Sequence, residues 1–534
     1  MLTKIGTSLV GTVGAYTLYQ VLKALYNELT SPHRKLPGPK ATHWFFGNFL
    51  EIIEDQNSGL EERWTQEYGR TLKFHRFFSL SSMYTIDTKA VQHFLSNTDI
   101  YQKSEASRFS LGRIVGPGIL VVEGDEHKHQ ASRKIMNPAF GAPQVRELTS
   151  IFMDTSIQLK DIWATLAASN GGVARVEILS WLSKATLDII GLAGFNYRIN
   201  ALGTDEKDTP DELAHAFESL VNAETNFSLL RFLQFRFPIF RRIAKNGFVK
   251  SQETMTRVGM KLLADSKREI AENGTFETGH GRDLLTLLVR ANTAKEIPAS
   301  QQLSDKDVLA QVPTFLVAGH ETTSTALTWA LFALTQNVAA QTRLREELLS
   351  VSTDNPTMDE LNELKYLDCV VRETLRVHAP VVNTSRVAMR DDIVPLNTPY
   401  TDIHGVVHDT LTIRKGDDIV IPILSLNRDV TIWGPDAMEF KPERWESPIA
   451  NSIPGVWGHM MTFINGPRSC IGYRFSLVET KAILFTLIRA FEFELAVPIE
   501  DIGKKATPIV QRPIVLSEKE KGNQMPLLVR PVVR

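Results

Sequence analysis

The sequence predicts a mainly α-helical protein with small β-sheets, and three observations carry that expectation. Apolar residues recur at helical spacing from about Asp211 to Asn337 and again from Met358 to Val377. Glu67-Tyr-Gly-Arg-Thr-Leu-Lys-Phe-His and Ser82-Met-Tyr-Thr-Ile-Asp87 are short, rich in β-branched or aromatic residues and bounded by turn formers, so they read as strands of a small N-terminal sheet. The 534 residues contain no internal repeat and no Gly/Ser-rich or Pro-rich linker, which favours one large domain over the several that length alone suggests.

At the N-terminus, Ile5 to Leu22 carries no charged residue, and Lys23, His33, Arg34 and Lys35 follow. The run is near the lower limit for crossing a bilayer and is weakened by Gly6, Gly11, Gly14 and Gln20, yet residues 1–27 are expected to form an uncleaved membrane anchor. Cations after the run predict that the bulk of the protein stays cytosolic. Leu36-Pro-Gly-Pro39 predicts a stiff, non-helical hinge over residues 28–40, which leaves residues 41–534 as the globular body. With 43% hydrophobic and 22% charged residues, and 59 basic against 61 acidic side chains, the composition is that of an ordinary folded enzyme and points to neither disorder nor nucleic-acid binding.

Ser304-Asp305-Lys306-Asp307 is a helix-start signal for the long apolar stretch that holds Ala318-Gly-His-Glu-Thr-Thr323. Pro313 is expected to bend that helix. A mid-helix glycine removes a side chain where another group must come close, and a threonine hydroxyl either bonds back to the helix or turns toward a ligand. Glu321 and Thr322 are thus a carboxylate and a hydroxyl suited to relaying protons. A zinc-protease reading of His320-Glu321 fails, because the fourth residue after His320 is Ser324. Further on, Glu373-Thr-Leu-Arg376 places a carboxylate and a guanidinium side by side on one helix.

Phe463-Ile-Asn-Gly466-Pro-Arg468-Ser-Cys470-Ile-Gly472 puts a cysteine in a glycine-punctuated loop at the start of an apolar helical run. A thiolate is the strongly donating axial ligand that lets haem iron activate oxygen, so Cys470 reads as a haem-iron ligand. Gly466 and Gly472 permit sharp turns close to a macrocycle, and Arg468 offers a cationic fork suited to a propionate. The helix N-terminus behind Cys470 favours thiolate over thiol. Cys369 is then the one other cysteine, most simply a small core residue, and the absence of a pair left for a disulfide suits a reducing compartment.

Residues 463–472 match at every fixed position the pattern F-x-x-G-x-R-x-C-x-G, and in this the chain resembles the cytochrome P450 family of haem-thiolate monooxygenases. The resemblance covers essentially everything after the anchor, through ordered landmarks at 318–323, 373–376, 442–445 and 463–472. It implies the cytochrome P450 fold, with haem b (iron protoporphyrin IX) between the long central helix and the ligand loop. It implies that Glu373 and Arg376 are buried and joined by Arg444 as a scaffold, and that Phe463 belongs to the haem-holding loop. Arg386, ten residues after Arg376, stands where members often place a propionate arginine. His129 and Arg133 keep the spacing of the family's W-x-x-x-R helix without its tryptophan; His127, with Ala131-Ser132 inserted, is the alternative alignment. Cations such as Lys128, Arg133 and Lys134 would steer an acidic electron donor.

No dinucleotide fingerprint or phosphate-cradling loop is found in the chain, so electrons are expected from a partner. The resemblance, closest in style to basidiomycete fungal members, implies NADPH–cytochrome reductase, with cytochrome b5 as a further donor, at the endoplasmic reticulum membrane. The implied reaction inserts one oxygen atom of dioxygen into a C–H or C=C bond. By resemblance the pocket is lined by Phe109–Leu120, the region from Leu220 to Phe240, and Ala379–Thr384, with Thr507–Gln511 closing it. Phe227, Phe232, Phe235, Phe237 and Phe240 interleave with Arg231, Arg236, Arg241 and Arg242, a pattern of either a membrane-dipping face or a helix core with snorkelling arginines. A lipophilic, terpenoid-like secondary metabolite is the expected substrate. Two rivals stay open: a haem-thiolate isomerase or dehydratase that needs no external electrons, and a non-catalytic haem sensor.

Overall fold

A computed structural model describes residues 28–55, 59–124, 126–203, 211–216, 246–273, 283–293, 302–449 and 453–532, together with isolated positions before residue 28 and Gln234 and Arg241. Most of Ile5–Leu22 lies outside the described residues, as do Phe227, Phe232, Phe235, Phe237, Phe240, Arg231, Arg236 and Arg242. The chain divides into two compact units, one of Met1–Gln102 with Asn383–Pro422, the other of Lys103–Val382 with Ile423–Arg534.

The first unit is built on a five-stranded sheet in the order Thr71–His75, Ser81–Thr85, Asp418–Ile421, Thr384–Ala388, Tyr101–Gln102. Its first pair is antiparallel in the register Thr71↔Thr85, and Ser81–Thr85 runs parallel to Asp418–Ile421. The strand expected from Glu67 starts only at Thr71. Residues Leu60–Tyr68 are helical, and Gly69, at φ +94°, ends the helix in a conformation that side chains resist. Sequence alternation could not separate the last helical turn from the strand that follows it. A hairpin of Asp392–Thr401 with Val407–Ile413 completes the unit.

The second unit is helical, and five helices position its chemistry: α1 (Glu126–Met136), α2 (Ile178–Phe195), α3 (Gln311–Gln336), α4 (Lys365–Val377) and α5 (Tyr473–Ala490). Small sheets flank them, one of Ala174–Glu177, Pro526–Pro531 and Phe491–Leu495, and one a hairpin of Ile502–Ala506 with Gln511–Val515. Among the described residues α2 is the helix long and apolar enough to cross a membrane, but 72% of it is buried, which marks a core helix.

Two helix boundaries differ from expectation. Ser304 does cap a helix, its hydroxyl accepting from Asp307 N at 3.2 Å, but that helix is the short Asp305–Leu309 and the long one restarts after Ala310. Pro313 therefore falls in the first turn of α3, where its missing N–H is not needed, and does not bend the helix from inside. The run Met358–Val377 is likewise two helices, Met358–Glu363 and α4, separated at Leu364.

The glycine in α3 has a packing cause. A Cβ on Gly319 would meet Ile190 Cγ1 and Cδ1 of α2 at 2.8 Å, so the two helices approach more closely than a side chain allows. We expect Gly319→Val to destabilise the protein by about 1–3 kcal/mol through overpacking, and Gly319→Val/Ile190→Ala to lose less than the sum of its single variants. Denaturant unfolding of all three proteins checks this.

Candidate active site

Cys470 lies three residues before the start of α5, its N–H donating to Phe463 O at 2.9 Å so that the loop closes on itself. Gly466 has φ +73°, which a side chain resists, whereas Gly472 has an ordinary negative φ and a Cβ there would only touch Phe140 at 3.6 Å. Ile464 has φ +57°, a conformation that a β-branched residue adopts only when its surroundings impose it. Its N–H donates to Met461 O at 2.8 Å, and its carbonyl accepts from Val456 N at 3.0 Å. The ring of Phe463 is buried between Trp457 and Tyr473, with centroids 5.8 and 6.0 Å away.

The loop is held from α4. Arg376 forks onto Glu373 at 2.8 and 2.7 Å, both side chains fully buried. Its remaining donors reach the carbonyls of Asn427, Ala437 and Glu439 at 2.9, 2.5 and 3.0 Å. Glu373 accepts in addition from Lys441 N, Trp445 Nε1 and Arg444 Nε, at 2.9, 2.9 and 3.4 Å. Asn427 continues the network: its Oδ1 accepts from Met461 N at 2.7 Å and its Nδ2 donates to Thr462 Oγ1 at 2.8 Å, while Thr462 donates to Leu375 O at 2.7 Å. The ion pair is thereby connected to the two residues that precede Phe463.

Both cysteines are free, and Cys470 is the exposed one. Although part of the residue is open to solvent, the protein packed around its sulfur disfavours the thiolate and pushes the Cys470 thiol up, while the Gly472 N–H and the Arg133 charge act in the opposite direction. Burial pushes the Cys369 thiol up to about 11, which leaves it an unreactive core residue.

Around Cys470 stand donors with spare capacity. Arg133 Nη1 donates to Ser469 O at 2.6 Å. Arg468 gives Nη2 to Glu123 at 2.9 Å and to Glu126 at 3.1 Å, while Nε and Nη1 are buried without a hydrogen-bond partner among the described residues. Lys103 holds the other oxygen of Glu123 at 3.2 Å. His129 is buried, and its Nδ1 also has no hydrogen-bond partner; burial, then the charges of Arg468, Arg133 and Lys103, bring it down to about 3. His127 is exposed on the same helix. Buried donors left open beside a free thiol fit the carboxylates of a haem whose iron Cys470 would ligate. Arg386 belongs to the first unit, buried in its sheet, with Nη1 donating to Thr384 Oγ1 and Ser385 O at 2.8 Å each.

On α3, Thr322 donates its hydroxyl to Ala318 O at 2.8 Å, the back-bonded state. Glu321 is buried and accepts from Arg512 of the strand Gln511–Val515. Thr323 meets Ser476 of α5 at 3.2 Å, a direct link between the central helix and the helix behind Cys470. The segment Phe109–Leu120 is tied to the start of α3: Thr314 donates to Val115 O at 2.8 Å and Gln311 accepts from Ile119 N at 3.0 Å. A Cβ on Gly118 would fall 2.1 Å from Thr314 Oγ1, so that approach requires glycine. Sequence reasoning missed Glu123, Asn427 and Arg512. Nothing local marks the first two, and Arg512 is one residue beyond the turn expected to close the pocket.

The family model described as Cytochrome P450 matches residues 36–517. Cytochrome P450 monooxygenase 205 of Postia placenta is 50% identical over 533 residues, 97% of this chain and 96% of that protein. Cytochrome P450 monooxygenase 128 of the same fungus is 51% identical over 537 residues, 98% and 97% of the two chains. Cytochrome P450 monooxygenase claO of Ampulloclitocybe clavipes is 36% identical over 513 residues, 93% of each.

Two expectations follow from the site. Arg376→Ala strands the Glu373 charge and should cost about 3–5 kcal/mol in denaturant unfolding, with haem content falling in parallel. His129→Ala should lower haem content on purification while His127→Ala leaves it unchanged; equal behaviour of the two would remove His129 from the haem site.

Proposed function

The chain belongs to the cytochrome P450 family and is a haem-dependent monooxygenase, and on that premise we propose that it oxygenates a C–H or C=C bond of a lipophilic, terpenoid-like metabolite. The observation that carries the assignment of residues is the set of open, buried nitrogens on Arg468 and His129 in the part of the fold that holds Cys470. Haem bound there supplies oxygen activation, which a strongly donating thiolate ligand favours. Cys470 holds the iron; Arg468, His129 and Arg133 hold the propionates; Phe463, Gly466 and Gly472 shape the loop. Thr322 and Glu321 handle protons, Thr322 by releasing its bond to Ala318 O and turning outward.

Electrons come from an NADPH-dependent cytochrome reductase at the endoplasmic reticulum membrane, with cytochrome b5 as a further donor. Membrane residence is supported by the described side chains of the N-terminal segment: Leu18, Leu22, Leu25 and Leu29 are more than half exposed, and Trp44 and Phe78 of the same unit add exposed aromatics. A substrate that partitions into lipid is consistent with that placement.

The test is spectroscopic. Reduced protein with carbon monoxide should give the thiolate-type band, and Cys470→Ala should abolish it. Titration of the ferric protein with terpenes, sterols, fatty acids and aromatic amines should shift its main band to the blue with the terpenes. Thr322→Ala should keep the carbon monoxide band while diverting reductase-supplied electrons to hydrogen peroxide; full coupling in that variant would end the proton-handling assignment. Turnover without a reductase would favour the isomerase or dehydratase reading instead.

A further inference from the structure

We infer that Arg512 is a positioning residue for proton delivery: its ion pair with Glu321 sets which carboxylate oxygen is available to carry a proton. The inference rests on the reading in which Glu321 and Thr322 handle protons.

Glu321 has different neighbours at its two oxygens. Oε2 accepts from Arg512 Nη2, and Oε1 lies 3.5 Å from His320 Nε2. His320 Nδ1 is 3.0 Å from Leu316 O, and since a carbonyl only accepts, this partner assigns the hydrogen to Nδ1 and leaves a lone pair on Nε2. Burial lowers the proton affinity of His320 in the same direction. Among the described residues, Arg512 is therefore the cation in contact with Glu321, while the Oε1 side faces a neutral acceptor. A proton arriving at Glu321 goes to Oε1, because Oε2 is occupied by the guanidinium.

Arg512 reaches Glu321 from a backbone that cannot drift. Its strand pairs with Ile502–Ala506 in the register Lys505↔Arg512. The adjacent Gln511 donates its N–H to Pro380 O at 2.9 Å, and its carbonyl accepts from Trp329 Nε1 at 3.1 Å. Trp329 stands eight residues beyond Glu321 on α3, so the hairpin grips one side of the central helix at two points. Thr322 follows Glu321 directly, and consecutive helical side chains point about 100° apart, so the two do not meet unaided. Freed from Arg512, Glu321 would lose its fixed orientation relative to Thr322, and its buried carboxylate would have lost its counter-charge.

The test uses the full chain loaded with haem, in four proteins: wild type, Arg512→Gln, Glu321→Gln and the double variant. With a fungal NADPH–cytochrome reductase in air and no added substrate, hydrogen peroxide released per NADPH oxidised is measured. We expect Glu321→Gln to change this ratio about twofold or more, Arg512→Gln to change it in the same direction, and the double variant to add nothing. Arg512→Lys, which keeps the charge without the fork, should fall between Arg512→Gln and wild type, and it serves if Arg512→Gln does not accumulate. Infrared difference spectra against Glu321→Gln give a readout independent of turnover: the carboxyl band of Glu321 should shift when Arg512 is replaced.

If Glu321→Gln changes the ratio and neither Arg512 variant does, the positioning role is wrong and the proton-handling reading stands. If Glu321→Gln changes nothing, that reading fails and the inference with it. Additive effects, or an unmoved Glu321 band, would show that Arg512 acts elsewhere.

Discussion

Arg376 and Glu373 have no solvent at all, so each charge must be answered within the protein. A buried ion pair is weak evidence of net stability, because desolvation offsets most of the attraction, but it is an exacting specifier of geometry. Here the specification extends through Asn427 to Met461 and Thr462, the residues next to the strained Ile464 and the ligand loop. A left-handed isoleucine costs about 1–3 kcal/mol in isolation and persists only where neighbours over-determine it. The network is that determinant, so the position of the Cys470 sulfur is inherited from a helix about a hundred residues earlier in the chain.

The central helix is governed by contacts of a different kind. Gly319 lets α2 approach closely on one side, Arg512 and Trp329 hold it on another, and Thr323 meets Ser476 of the helix behind Cys470. Helix α3 is therefore held on several sides around the stretch that carries Glu321 and Thr322. Close packing transmits small displacements, which is why a change of one methyl at Gly319 would be felt at Glu321 two residues away.

How much of this could be read from the sequence depends on the range of the interactions. The family was legible because Phe463, Gly466, Arg468, Cys470 and Gly472 form its pattern within ten adjacent positions. Helical periodicity gave the character of the fold, yet it ran through Leu364 and Ala310, where the break comes from caps and backbone rather than from polarity. It also joined the end of Leu60–Tyr68 to a strand. Gly319 was legible as a close approach but not its partner, since Ile190 lies on another helix. Arg512 and Glu321 are 191 residues apart, and a lone arginine in a strand has no local signature. The choice between His127 and His129 turned on which face of α1 is buried, and an insertion leaves that open in the sequence.

A protein with two thiols, one of them inert in the core, has no resolving cysteine. Cys470 is the cysteine residue that solvent reaches, so it is the one an oxidant in solution would meet first. Oxidation beyond the sulfenic acid is irreversible, and Cys369, held as a buried thiol, is not available to trap the first step as a disulfide. A molecule oxidised past that first step at Cys470 therefore has no route within its own chain back to the thiol.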